Sequence, residues 1–181
     1  QDPSDPQALD RLERYTARIE QYVEAMSSVQ RLEQLPVRAS AVDYATLVSE
    51  LEETARLLAP ALAVTVTGPD AGAARLDHGL FLTVAENLIG NGARFAQSRL
   101  EVALVPVDGT LSLWVADDGP GFPAWLLESG PKPFGKAAGG DGHFGMGLYT
   151  SGLLCRKHGG GLRLENRETG GAATASFRLD G

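Results

Sequence analysis

Glu86-Asn87-Leu88-Ile89-Gly90-Asn91-Gly92-Ala93-Arg94-Phe95-Ala96 gathers an acid, two amides, a cation and an aromatic ring within one short stretch. Apolar residues at Leu80, Val84, Leu88 and Ile89 recur at helical spacing, which predicts an amphipathic helix from about Gly79 to Ala96. On that helix Asn87 and Asn91 lie one turn apart on a single face, and Arg94 and Phe95 follow at its end. Such a surface makes a poor core. It suits a metal-bound phosphate lying beside a flat base, although an isolated Asn-x-x-x-Asn pair is more often a capped or solvated face. Two glycine-rich motifs follow: Asp117-Asp118-Gly119-Pro120-Gly121-Phe122-Pro123, then Gly142-His143-Phe144-Gly145-Met146-Gly147-Leu148. Asp117, at a strand end, can accept a hydrogen bond from the amino group of a purine. Gly119 and Gly121 remove Cβ atoms where the chain turns beside that base, although Asp-Gly pairs also serve as ordinary turns. Gly145 and Gly147 flank Met146 at a helix start, where backbone N–H groups and the helix dipole favour phosphate.

In this order and spacing the motifs resemble the ATP-binding catalytic domain of sensor histidine kinases, in the superfamily shared with type II topoisomerases and MutL-type mismatch-repair ATPases. Residues 86–96 resemble the N box of that family and Asp117–Pro123 the first glycine box. Pro133-Phe134 resembles the F box and Gly145–Leu148 the second glycine box, with His158-Gly159-Gly160 behind it. The resemblance implies ATP and Mg2+ as cofactors. It implies Asn91 as the metal ligand, with Asn87 completing the shell through water or touching phosphate. Arg94 then supplies charge to the phosphates and Phe95 an apolar wall to the purine. Asp117, Gly119 and Gly121 would hold adenine. Phe134 would anchor a lid, and Gly145, Met146, Gly147 and Leu148 would cradle phosphate. Lys132 and Lys136 suit either phosphate or solvent. Glu86 and Asn87 are the catalytic candidates, Glu86 as general base or substrate-positioning acid. The topoisomerase-like ATPases place their Glu four residues before the second Asn, where this chain has Asn87. That argues against ATP hydrolysis and fits phosphoryl transfer to an imidazole, which needs positioning and charge neutralisation more than a strong base. Gly92 departs from the usual Ala of the family and loosens the helix by roughly 1 kcal/mol.

The implied function is that of the carboxyl-terminal part of a bacterial sensor histidine kinase, passing the ATP γ-phosphoryl group to a histidine for relay to a response regulator receiver domain. Partners would be that receiver domain and a histidine-bearing dimerisation helix of the same protein, with a homodimer in the full protein. The expected location is cytoplasmic, in a parent protein that a membrane anchor would suit. Rival readings are an anti-sigma-type serine kinase or ATP-hydrolysing machine on the same fold, and a degenerate nucleotide-binding or dimerisation module. The histidines are His78, His143 and His158, none in the long helix before Leu35, so the acceptor is expected on a segment absent from this sequence.

Composition sets the frame for these motifs. The 181 residues are 43% hydrophobic and 22% charged, with a formal net charge of −7. Without a dense run of Lys or Arg, nucleic acid and anionic membrane surfaces are poor partners. The single cysteine, Cys155, excludes an intrachain disulfide and reads as a small buried hydrophobe. No apolar run approaches the ~20 residues that span a bilayer. The amino end lacks an initiator Met, and the sequence reads as a piece of a longer protein.

The elements that must position the motifs point to an α+β fold. The resemblance makes it a two-layer α/β sandwich of Bergerat type, a mixed sheet with helices on one face, preceded by one long helix. Leu9, Leu12, Tyr15, Ile19, Tyr22, Val23, Met26 and Val29 form a stripe that predicts that helix from Leu9 to Leu35, started by Asp5-Pro6 and stopped by Pro36. The expected division is residues 1–36 as a dimerisation helix and linker, and 37–181 as the ATP-binding domain. A short strand is expected within Val37–Val42 and a helix over Tyr44–Leu58 with Asp43 as its N-cap. Strands are expected at Leu62–Thr67, Leu100–Val105, Leu111–Ala116, Leu162–Glu165 and Ala173–Leu179. Asp108-Gly109 signals a hairpin and Thr169-Gly170-Gly171 a turn. A further helix is expected over Tyr149–His158. The stretch from Pro123 to Gly142 reads as a mobile surface loop, and His78 as a surface residue.

Overall fold

In the computed structural model the described residues are 29–132 and 146–179, with the single helical positions Thr16, Val23 and Ser27. The chain divides into two compact units, Gln1–Leu35 and Pro36–Gly181. In the first, residues 29–34 are helical, and the Leu35 N–H donates to the Arg31 carbonyl at 3.2 Å, closing the last turn. Pro36 follows, with no N–H to continue the ladder. The stripe residues Leu9, Leu12, Tyr15, Ile19, Tyr22 and Met26 lie outside the described residues, as does the expected start at Asp5-Pro6.

The second unit runs β1 (Ser40–Asp43), α1 (Tyr44–Leu58), β2 (Ala63–Thr67), β3 (Ala73–Leu76), α2 (His78–Phe95), β4 (Arg99–Val107), β5 (Thr110–Asp117), α3 (Ala124–Ser129), α4 (Met146–Lys157), β6 (Gly161–Asn166) and β7 (Gly171–Arg178). The main sheet has the order β2-β4-β5-β7-β6, with β2 parallel to β4 and every other pair antiparallel. β1 and β3 form a separate antiparallel pair. This is the expected mixed sheet within an α+β fold.

Alternation decides which face of the sheet is covered. Leu100, Val102 and Leu104 of β4, Leu111, Leu113 and Val115 of β5, and Ala173, Ala175 and Phe177 of β7 are buried. Strand pairing puts them on one face, because Val102 lies opposite Val115 and Leu113 opposite Ala175. Against them come Leu47, Leu51 and Ala55 of α1, Phe81, Val84, Leu88 and Ile89 of α2, and Leu154 and Cys155 of α4. The Phe81 and Phe177 rings meet at 5.4 Å, joining α2 to β7. The opposite face carries Glu101 and Trp114, with the Arg167 guanidinium 5.1 Å from the Trp114 ring. Burial pushes the Cys155 thiol up to about 12, as befits a packed hydrophobe rather than a reactive thiol. No helix among the described residues is long and apolar enough to cross a membrane.

Three expectations change, and a fourth, the N-cap at Asp43, holds in position only. β3 was not foreseen, because Ala73-Ala74-Arg75-Leu76 carries no β-branched or aromatic residue and its alternation shows only against β1. The stretch after Pro123 opens with the helix α3 rather than with loop, although none of its six residues is buried. Asp43 occupies the N-cap position of α1 without a side-chain capping bond. His78 is no free surface residue. It is the first residue of α2 and its Nε2 lies 2.7 Å from Glu50 Oε2 on α1. The hairpin at Asp108-Gly109 is as read, with φ of 48° and 73° at its two central residues.

α2 is started by Asp77. Its Oδ1 accepts the Leu80 N–H at 3.1 Å, and its Oδ2 accepts the Arg38 N–H at 2.7 Å. One carboxylate thus caps the helix that carries the N-box residues and pins the chain leading into β1 to it. We expect Asp77→Ala to lower the unfolding free energy by about 1–2 kcal/mol, and Asp77→Asn, which keeps a capping oxygen, to lower it less. Urea unfolding at constant m-value measures this. An unchanged midpoint in Asp77→Ala would remove the cap from the account.

Candidate functional site

α2 runs unbroken through Gly92 to Phe95. Gly92 is buried, and a Cβ there would stand 2.6 Å from Leu100 Cδ1 and 3.4 Å from Val115 Cγ1. The expected cost of this glycine in helix propensity is therefore met by close packing of the helix on β4 and β5. The backbone then turns at Gln97-Ser98-Arg99, and Asp118 holds that turn. Its Oδ1 accepts the N–H groups of Gln97 at 2.9 Å, Ser98 at 3.0 Å and Arg99 at 3.1 Å, while its Oδ2 accepts the Ser98 hydroxyl at 2.5 Å. The Ser98 hydroxyl and these amides hold the Asp118 carboxyl far below the ordinary carboxylate value.

Asp117 ends β5 on the covered face, directly opposite Leu100. It is 8% exposed, and its Oδ1 accepts the Gly119 N–H at 2.8 Å. Burial raises its carboxyl above the ordinary value, against the pull of the Gly119 and Gly171 amides. A Cβ on Gly119 would stand 2.1 Å from the Phe95 carbonyl oxygen, so the first glycine box passes directly against the end of α2. Asn166 on β6 clamps the other side of the box, its Oδ1 accepting the Phe122 N–H at 2.7 Å and its Nδ2 donating to the Phe122 carbonyl at 2.9 Å.

The second glycine box arrives from α4. A Cβ on Gly147 would lie 3.3 Å from Asn87 Oδ1, so the N-terminus of α4 stands beside the N box. Met146 and Leu148 are half-buried next to it, and Asn91 is half-buried one turn beyond Asn87. Glu86, Asn87 and Gly90 line an open groove of about 260 Å3 together with Thr54, Leu57 and Leu58 of α1. The structure thus brings Asn87 to Gly147, and Asp117 and Gly119 to the end of α2. It places Arg94 over the Phe95 ring at 5.5 Å and leaves that ring 45% exposed at the helix end. Gly121 sits at φ 77° beside Asn166. Phe134 and Gly145 lie outside the described residues, as do Lys136 and His143.

Sequence reasoning missed Asp118 and Asn166, which organise the glycine-box end of α2, and Asp77 and His158, which hold its start. Asp118 was in view as part of the glycine box, but a carboxylate bonding to backbone amides behind it leaves no pattern in spacing. Asn166 is 44 residues from its partner, and no local signal marks it.

The family model described as histidine kinase-, DNA gyrase B-, and HSP90-like ATPase matches residues 77–181. Sensor protein CutS of Streptomyces coelicolor is 29% identical over 182 residues, covering 94% of this chain and 44% of that protein. Sensor histidine kinase CssS of Bacillus subtilis is 31% identical over 85 residues, 47% of this chain and 18% of its own length. The chain thus spans less than half the length of these relatives. Among solved structures, the mycobacterial sensor histidine kinase MprB superposes with a TM-score of 0.66 at 23% identity, over 78% of this chain and 98% of that one. Full-length ShkA in complex with AMPPNP superposes with a TM-score of 0.72 at 18% identity, over 98% of this chain and 39% of that one. These structures share the fold.

The opposite shifts of the two adjacent aspartates carry a prediction. Asp118 is depressed in the folded state, so its contribution to stability is full above the ordinary value of 3.8 and is lost as pH falls below it. Asp117 is raised, so its ionisation costs stability as pH climbs above 3.8. Asp118→Ala is expected to be less stable than the parent at pH 6, with the gap narrowing below pH 3.8. Thermal midpoints across this range measure it, and a gap independent of pH would contradict the assignment.

Proposed function

Because the chain belongs to the family of histidine kinase-, DNA gyrase B- and HSP90-like ATPases, we propose that it is the ATP-binding catalytic part of a sensor histidine kinase. The single observation that carries this reading is the meeting of Gly147 with Asn87, on a helix whose other end abuts the Asp117 glycine box. A site eight residues long on α2, about 12 Å of axis, gives a base at one end and phosphates at the other separate supports. A relative named as a sensor histidine kinase favours histidine phosphorylation over the ATP-hydrolysing members of the family.

In this reading Asp117 accepts a hydrogen bond from the adenine amino group, with Gly119 and Gly121 keeping the backbone clear beside the base. Phe95 offers apolar surface and Arg94 positive charge. Met146, Gly147 and Leu148 present backbone N–H groups to phosphate at the start of α4. The Asn91 amide oxygen would hold a magnesium ion, with Asn87 one turn away, and the ion would supply neutralisation of phosphate charge. Glu86 is exposed on the groove, and in this reading it orients an incoming imidazole.

The acceptor comes from elsewhere. His158 is 6% exposed with both ring nitrogens bonded, and His78 pairs with Glu50. In this reading the phosphoryl group goes to a histidine on a dimerisation helix, within a homodimer of the full protein, and then to a receiver-domain Asp. We place this chemistry in the cytoplasm.

Incubation with γ-labelled ATP tests the reading. The chain alone should acquire no acid-labile label, whereas a separately supplied helix bearing the acceptor histidine should. Asn91→Ala should abolish that transfer and remove the magnesium-dependent part of ATP affinity, leaving adenosine binding nearly intact. Acid-labile label on the chain alone, or a full magnesium effect in Asn91→Ala, would contradict it.

A further inference from the structure

The His158-Gly159-Gly160 motif behind the second glycine box has no part in the nucleotide site, yet His158 is one of three buried polar or charged residues among those described. Its ring joins two elements. Nδ1 lies 3.0 Å from the Arg178 carbonyl oxygen, and Nε2 accepts the Asp77 N–H at 2.8 Å. A carbonyl can only accept and an amide N–H can only donate, so one neutral tautomer, protonated at Nδ1, satisfies both. The backbone repeats the tie, since the Arg178 N–H donates to the His158 carbonyl at 3.0 Å. The ring edge also meets Phe177, centroid to centroid 5.8 Å.

Asp77 is the N-cap of α2 and His158 follows the last turn of α4. At the other end of α4, Gly147 stands against Asn87, midway along α2. The helices therefore run antiparallel, fastened at one end by His158 and meeting at the other where the N box and the second glycine box converge. The two ends are about 15 Å apart along the axes. The Gly160 N–H donates to the Cys155 carbonyl at 2.9 Å, and a Cβ on Gly160 would meet the Ser176 carbonyl oxygen. This fixes the backbone after His158.

We propose that His158 is a positioning residue for the phosphate end of the site: through the Asp77 N–H it fixes α4 against α2, keeping residues 146–148 beside Asn87. The inference rests on the reading that this end binds phosphate. The two ring bonds are separable by substitution. In His158→Gln the side-chain oxygen reaches where Nε2 stood and keeps the Asp77 bond. In His158→Asn the shorter amide keeps the bond to the Arg178 carbonyl and leaves Asp77 unpartnered.

The experiment compares parent, His158→Asn and His158→Gln by calorimetry with Mg-ADP and with adenosine, after thermal melts confirm folding. His158→Asn should bind Mg-ADP roughly fivefold to tenfold more weakly with adenosine affinity unchanged, and His158→Gln should recover most of the loss. Amide hydrogen exchange of residues 150–153 without ligand should be faster in His158→Asn than in His158→Gln, which tests the joint apart from any nucleotide. Parent-like ADP affinity in His158→Asn overturns the inference. So do equal losses of ADP and adenosine in both variants, or identical exchange in the two. A parent that binds neither ligand would count against the nucleotide reading instead, leaving the exchange comparison to decide the joint.

Discussion

A side chain at Gly92 would collide with Leu100 beneath the last turns of α2. Gly92 lets the helix settle onto Leu100 and Val115, and Gly119 lets the chain leaving β5 pass against the Phe95 carbonyl. Packing at that density tolerates little added volume. Because the contact is so close, the helix that presents Asn87 and Asn91 and the strand end that presents Asp117 form one rigid support. The Asp118 carboxylate then closes the turn between them by collecting the amides of residues 97–99.

Two neighbouring carboxylates are thereby driven in opposite directions by their surroundings. Asp118, bonded to a hydroxyl and a row of amides, holds its charge; Asp117, buried at the strand end, holds its charge at a cost. Environments that push adjacent titratable groups apart assign them different work. Asp118 spends its acceptors on the fold. Asp117, bonded to Gly119, sits where an incoming amino group would offset part of its burial.

Much of this was legible in the sequence. The periodicity of Leu80, Val84, Leu88 and Ile89 located α2 to within a residue at each end, and alternation located the strands of the main sheet. The order of glycine-rich motifs pointed to the family that the comparison over residues 77–181 establishes. What escaped notice was non-local. β3 is a strand because β1 lies beside it, Asn166 matters because β6 brings it to Phe122, and His158 because α4 ends beside Asp77. Gly92 looked like a defect because helix propensity is local, while its compensation by Leu100 is tertiary.

The central claim is that Asp117 reads the amino group of an adenine base from behind the first glycine box. Comparing ADP with inosine diphosphate, which carries a carbonyl in place of that amino group, tests it most directly. The parent should bind ADP about tenfold or more tightly than inosine diphosphate, and Asp117→Ala should bind the two alike. Equal affinity of the parent for both nucleotides would contradict the account.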